Sequence, residues 1–281
     1  MADGDGGTID LHSHSLASDG QYPAAEVAAL AASAGVKVWA LCDHDTVAAL
    51  PQAAEAAGRL GVRFVPGIEL SCHVSDREHR EIHLLGHFVD PASPGLRAFE
   101  DLLADHRRRR MGEIVKKLAA LGVVLTEADI EKHSGGKTIG RPHVARAIVE
   151  TGAVLNVREA FDRYLGEGKP AYVGRYRLLA QDAVALVRDA GGTVTIAHPG
   201  LSGLEKPAIE YLRQVGAAGI EVHHAEQNPS MREKYLRLAE AYDLVPTAGS
   251  DYHGPAISPD RKFGGVTMDA DDLARLEARR P

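Results

Sequence analysis

The chain has 281 residues, 44% of them hydrophobic and 25% charged, which fits one large α/β domain or two modest ones and excludes a disordered tail protein. Its formal net charge of −7 excludes a protein that coats nucleic acid by charge alone, and double-stranded DNA is not an expected partner. Two cysteines, Cys42 and Cys72, are too few for a disulfide framework and point to a reducing, cytoplasmic setting.

Residues 1–7 carry no basic region followed by an apolar stretch, so no secretion signal is expected. No apolar run nears the roughly 20 residues that span a bilayer, so no membrane association is expected. Short β-type runs then alternate with helical ones. Strand patterns fall at 9–12, 36–42, 63–70, 82–89, 192–198, 219–223 and 244–250; helical patterns fall at 23–34, 47–60, 180–190, 207–215 and 230–242. Strands spaced by helices of this length predict a parallel sheet, and about seven of them predict a closed or nearly closed barrel. Between residues 91 and 176 the strand signal stops, and helical segments surround the Gly-rich turn at 134–136. An unstructured loop of that length is uncommon, so a helical insertion over the barrel mouth is expected. The barrel domain is then 8–90 with 177–281, and the insertion is 91–176.

The unusual count is histidine, at 14. The first strand ends in Asp10-Leu11-His12-Ser13-His14, whose two imidazoles share one side of an extended strand. Asp19 follows in a turn. The next strands bring Cys42-Asp43-His44-Asp45, then Gly67-Ile68-Glu69, then Glu81-Ile82-His83. Later come Ile196-Ala197-His198-Pro199 and Gly249-Ser250-Asp251-Tyr252-His253. A lone strand-end histidine is an ordinary packed or solvated residue. Six of them gathered with three carboxylates at successive strand ends are candidate metal ligands, because barrel sites are built from strand termini. His12, His14, His44, His83, His198, His253, Asp19, Glu69 and Asp251 are too many for one ion and suit two or three of Mn, Zn or Fe. Asp43 and Asp45 read either as residues supporting this site or as solvated loop carboxylates. Of His223 and His224, one is expected to line the pocket; His73, His79, His87, His106 and His133 read as surface or packing residues.

In the insertion, residues 102–121 read as one helix with an apolar stripe of Leu103, Met111, Ile114 and Leu118. Arg108 and Arg109 face solvent. Arg107 and Arg110 fall in or beside the stripe, where they either lean inward to grip phosphate or snorkel over apolar surface. Arg141 and His143 sit where Pro142 can start a helix, an anion site or an ordinary loop-to-helix junction.

The motifs from Asp10 to His14, Ala17 to Gly20, Asp43 to Thr46, Pro66 to Glu69, Ile196 to Pro199 and Gly249 to His253 resemble the polymerase-and-histidinol-phosphatase (PHP) phosphoesterases over nearly the whole chain. The resemblance implies a distorted (β/α)7 barrel of α/β class with a trinuclear site, here three Mn2+, with Zn or Fe as alternatives. It implies that His12, His14, Glu69 and Asp251 hold one ion; Asp19, His44 and His253 a second; and that Glu69 bridges to a third held by His83 and His198. His79 competes with His83 for its role. Three divalent cations outweigh three ligand carboxylates, so the site is cationic inside an acidic protein and suits phosphate. Asp19, Glu69 and Asp251 are expected to act in catalysis through metal-activated hydroxide, with no separate general acid assigned.

The segment from Ile139 to His143, with that from Tyr164 to Val173, resembles the branch that removes the 3′-phosphate of nucleoside 3′,5′-bisphosphates and degrades short 5′-phosphorylated RNA in the 5′→3′ direction. In that branch residues matching Arg107, Arg110, Arg141 and His143 hold the 5′-phosphate. The alternative is a phosphatase of a small metabolite such as histidinol phosphate.

Overall fold

The computed structural model describes residues 7–75, 80–133 and 140–281; His79, the turn at 134–136 and residues 1–6 lie outside them. The chain forms two compact units, residues 1–98 with 177–281 and residues 99–176.

The first unit is built on seven strands hydrogen-bonded in chain order: β1 (Thr8–Asp10), β2 (Val36–Leu41), β3 (Arg63–His73), β4 (Glu81–His87), β5 (Thr193–Ile196), β6 (Gly219–His224) and β7 (Val245–Gly249). Past the formal strands, Leu11 donates its N–H to the Ala248 carbonyl at 3.0 Å and Ser13 pairs with Tyr252, so the sheet is nearly closed into a barrel.

The expectation of an all-parallel sheet is corrected here. β4 runs antiparallel to both β3 and β5, while the other neighbours are parallel. Only residues 74–80 separate β3 from β4, too few for the crossover that a parallel neighbour needs, so the chain reverses. Because β4 runs backwards, its beginning lies beside the ends of the other strands. His83, third in its strand, thereby reaches the same end of the barrel as the other histidines.

The helices α1 (Ala24–Ser33), α2 (Leu50–Leu60), α7 (Ala180–Asp189), α8 (Lys206–Val215) and α9 (Pro229–Ala241) fall near their predicted positions. α2 starts three residues later than its apolar pattern, because Pro51 must occupy the first turn, where its missing N–H costs nothing. α10 (Ala270–Glu277) is not among the predicted elements. It buries Leu273 and Leu276 against Ile9, Ala218 and Val245, and three acidic residues at its start suit the helix dipole.

In the second unit α3 (Pro94–Ala120), whose first turn belongs to the first unit, precedes α4 (Glu127–Glu131), α5 (Arg141–Glu150) and α6 (Val157–Ala160), and one π-helical turn follows at Phe161–Leu165. The predicted stripe is buried, with Ile114 and Leu118 packed among Ile130, Val144, Ile148 and Leu165. α3 starts earlier than predicted, at Pro94, a residue suited to a helix's first position.

His87 stands inside the barrel, fully buried, its Nε2–H donating to the Leu11 carbonyl at 2.9 Å while Nδ1 accepts from Thr195 at 3.3 Å. Burial pushes its pKa down to about 4 from 6.5. The folded state therefore resists a proton that the unfolded state accepts. This contribution is intact above pH 6.5 and is lost as pH falls toward 4, by up to about 3 kcal/mol. Urea titrations of metal-free wild type and His87→Gln across this window are expected to show a shallower pH slope in the variant, whose amide keeps both hydrogen bonds. Identical slopes would refute the assignment.

Candidate metal centre

The centre is set by what lies between the histidines. Ser13 turns away from it: its hydroxyl donates to the Ala40 carbonyl and accepts from Trp39 Nε1–H, both at 2.8 Å. Trp39 is fully buried, so this anchor fixes the strand's alternation and commits His12 and His14 to the opposite side. The strand-like register continues through His44, which pairs with Glu69, and Asp251 donates its N–H to the His12 carbonyl at 2.9 Å. Asp45, His198 and Asp251 hold positive φ angles of 55°, 24° and 53°. Non-glycine residues there are strained, and such strain gathers at functional sites.

The Glu69 carboxylate, 1% exposed, is the hub. Its Oε1 lies 2.9 Å from His83 Nδ1 and 3.0 Å from His198 Nε2. Its Oε2 lies 3.1 Å from His12 Nε2, 3.0 Å from His14 Nε2 and 3.3 Å from His44 Nδ1. Asp251 Oδ1 lies 3.1 Å from His14 Nε2 and 3.5 Å from His12 Nε2. At the rim, Asp19 stands 3.2 Å from His253 Nε2, 3.6 Å from His14 Nδ1 and 3.7 Å from His44 Nε2. All nine sequence candidates are thus brought together, with His83 in place.

The donor chemistry fits divalent metal. His12, His14, Glu69 and Asp251 bring four donor atoms within 4.8 Å of one another, as do His14, Asp19, His44 and His253, and His44, Glu69 and His83 bring three. Separations of 3.0–3.5 Å in the first set are those of donors sharing an ion roughly 2.0–2.2 Å from each. His12 Nε2 and His14 Nε2 face each other at 3.1 Å. His44 Nδ1 and His83 Nδ1 are buried against Glu69 without the alignment of a hydrogen bond. Lone pairs that converge this way call for a cation.

The electrostatics agree. Burial opposes the charges of Glu69 and Asp251, yet the surrounding imidazoles hold both carboxyls well below the usual range. Burial likewise opposes the charge on His14, but hydrogen bonds to Asp251 and Glu69 lift its pKa to about 9. His44 is half-buried, and desolvation with the neighbouring His14 and His83 pushes it down to about 4 despite Glu69. Protons and metal ions compete for the same imidazole lone pairs.

Glu221, the role of Gly249 and Arg261 are missed by the sequence reading. Glu221, fully buried, accepts His12 Nδ1–H at 3.1 Å through one oxygen and the His198 backbone N–H at 2.7 Å through the other. One carboxylate therefore fixes the tautomer of one ligand and the backbone of another. Gly249 makes room for the pair: a Cβ there would stand 2.4 Å from Glu221 Oε1 and 2.2 Å from the His12 Cβ. Asp43 is a supporting residue, accepting at 2.7 Å each from the Ser15 N–H, the Ser15 hydroxyl and the Ser18 hydroxyl, which shapes the loop that carries Asp19. Of the paired histidines, His224 is the buried one, 3.4 Å from Asp251 Oδ2. Arg261 also contacts that oxygen.

In the second unit Arg110 is half-buried and Arg107 exposed. Arg110 donates from Nε to the Val173 carbonyl at 2.8 Å, and its buried Nη2 has no hydrogen-bond partner among the described residues. Burial and the neighbouring Arg141, Arg175 and Arg107 push its pKa down to about 10. Arg141 lies 5.4 Å over the Tyr172 ring and donates to the Leu165 carbonyl at 3.2 Å. His143 Nδ1 accepts the Gly140 N–H at 2.9 Å, which places the imidazole proton on Nε2. Arginines gathered around a buried donor are the kind of group that could hold an anion.

The PHP domain pattern matches residues 10–129. The chain is 36% identical over 252 residues to the 3′,5′-nucleoside bisphosphate phosphatase of Chromobacterium violaceum, covering 88% of this chain and 87% of that protein. It is 35% identical over 251 residues to a 5′-3′ exoribonuclease of Haemophilus influenzae, covering 88% and 90%. A solved structure of a Chromobacterium violaceum amidohydrolase with bound sulfate and no metal superposes with a TM-score of 0.73 at 33% identity, over 97% of this chain and 96% of that one. The barrel, the nine converging donors and these relatives agree: the chain belongs to the PHP domain family of metal-dependent phosphoesterases.

Proposed function

We propose that this phosphoesterase removes the 3′-phosphate from nucleoside 3′,5′-bisphosphates and also acts on short 5′-phosphorylated RNA in the 5′→3′ direction. Its place of action is the cytoplasm, a setting consistent with two free, buried thiols; no helix of the described residues is long and apolar enough to cross a membrane. The observation that carries the reading is the pairing of two chemistries in one chain: a donor cluster centred on Glu69, and a cationic cluster around Arg110. The relatives named for bisphosphate and RNA hydrolysis support the same substrates.

Three Mn2+ ions are the proposed cofactor. His12, His14, Glu69 and Asp251 hold one ion, Asp19, His44 and His253 a second, and Glu69, His83 and His198 a third. Divalent ions bound there supply Lewis acidity, lowering the pKa of water toward neutrality and offsetting phosphoryl charge. The chain's own groups do the rest. Glu69 places its two oxygens toward different ligand sets. Glu221 keeps the Nδ1 proton on His12 and so directs the Nε2 lone pair inward. Arg110, Arg141 and the His143 Nε2–H grip the 5′-phosphate by charge-assisted hydrogen bonds, with the exposed Arg107 adding charge.

The test is phosphate release with added Mn2+ from adenosine 3′,5′-bisphosphate, 3′-AMP, AMP and histidinol phosphate. The expected result is AMP as product and a kcat/KM for the bisphosphate at least about tenfold above that for 3′-AMP, the contribution of charged hydrogen bonds to the 5′-phosphate. Preference for histidinol phosphate or any other monophosphate would overturn this reading.

A further inference from the structure

We infer that Arg261 is a positioning residue of the metal centre, a fork that locks Asp251 so that only Oδ1 faces the ions; this rests on the metal-centre reading above. Arg261 lies in the irregular segment between β7 and α10, and its side chain is 16% exposed. Its Nη1 donates to Asp251 Oδ2, and its Nε donates to Glu226 Oε1 at 2.8 Å. Asp251 Oδ2 also faces His224 Nε2 at 3.4 Å. The Glu226 backbone N–H donates to His224 Nδ1 at 3.1 Å, which places the imidazole proton on Nε2 and makes that nitrogen a donor to Asp251. Two donors thus occupy Oδ2, while Oδ1 stays 3.1 Å from His14 Nε2 and 3.5 Å from His12 Nε2.

The consequence is geometric. A free carboxylate can turn and offer either or both oxygens to a cation; this one presents a single oxygen in a fixed direction. The brace also ties the end of β6 and the turn after it, which supply His224 and Glu226, to the segment that follows β7, which supplies Asp251 and Arg261. A planar guanidinium can address two carboxylates at once. A lysine carries the same charge but cannot reproduce the fork.

Charge and geometry make opposite forecasts. If Arg261 acted through charge alone, its removal would strengthen cation binding and Arg261→Lys would behave as wild type. Positioning requires that Arg261→Ala and Arg261→Lys both weaken Mn2+ binding, by about 10- to 100-fold, the scale of losses when a ligand's supporting partner is removed. Glu226→Gln loosens only the fork's outer tine and is expected to cost less than about tenfold. Combined with Arg261→Ala it should add nothing further, because the two act as one unit.

The experiment is a Mn2+ titration of the metal-stripped full chain, followed by the electron paramagnetic resonance signal of free Mn2+, with thermal unfolding of the metal-free variants as a folding control. Weakened binding by both Arg261 variants and non-additivity with Glu226→Gln is the expected result. Wild-type affinity in Arg261→Lys, or tighter binding in Arg261→Ala, overturns the positioning role while leaving the metal centre intact. No Mn2+ binding by the wild type itself overturns the metal-centre reading, and this role with it.

Discussion

Glu69→Gln is expected to lose nearly all phosphoesterase activity, on the order of 10³-fold or more, together with metal content. The substitution preserves volume and shape, so it isolates charge and acceptor count. Five imidazoles stand within 3.3 Å of the two Glu69 oxygens. An amide leaves one neutral oxygen and turns an NH2 group toward the other nitrogens. Among the described residues no other carboxylate reaches both sides of the centre: Asp251 lies 3.1 Å from His14 Nε2 and 3.5 Å from His12 Nε2, and Asp19 faces His14, His44 and His253. Bound ions supply several kcal/mol of transition-state stabilisation, and losing them forfeits that amount as rate. Elemental analysis of the purified variant reads the metal content directly. Added Mn2+ should raise the melting temperature of wild type and leave the variant's unchanged, because only a folded state that binds the ion gains from it. A variant that keeps wild-type metal content and a rate within tenfold would remove Glu69 from the hub.

The cluster of candidate ligands was legible in the sequence because its pattern is local. His12 and His14 are two apart, Asp251 and His253 are two apart, and each pair follows a strand-like run, so residue parity alone predicts a shared face. The supporting shell was harder to see. Glu221 lies within an apolar strand, and a carboxylate there signals a buried partner, but nothing nearby in sequence reveals His12 as that partner. Arg261 sits ten residues beyond Asp251 in a segment without periodicity, so only the folded chain shows its target. The reversal of β4 had a readable cue in the connection at 74–80, too short for a helical crossover, which the surrounding β/α rhythm masked. In the insertion, periodicity placed the apolar stripe but could not rank Arg107 against Arg110, because both lie near its edge. Packing decides that: Arg110 hydrogen-bonds to the Val173 carbonyl, and Arg107 remains exposed.

Arg141→Ala and Arg110→Ala should each reduce kcat/KM for adenosine 3′,5′-bisphosphate by roughly 10- to 150-fold, the equivalent of about 1.5–3 kcal/mol for one charge-assisted hydrogen bond. Arg110 carries the sharper argument. Among the described residues its Nη2 is buried without a partner, and the neighbouring Arg141, Arg175 and Arg107 push its pKa down. A buried donor among like charges costs stability unless an anion completes it, so the cluster is better matched to bound phosphate than to its own side chains. Arg141 is held by the Leu165 carbonyl and flanked by the Tyr172 and Phe161 rings, which orient its planar group in advance of binding. The control is 3′-AMP, which presents the same ester without a 5′-phosphate. Its hydrolysis should change by less than about threefold in either variant, since the lost contact is one this substrate never makes. An equal loss on both substrates would assign these arginines to the fold of the second unit instead. A loss confined to the bisphosphate ties them to the phosphate that is not cleaved, and makes that phosphate the feature by which the enzyme chooses its substrate.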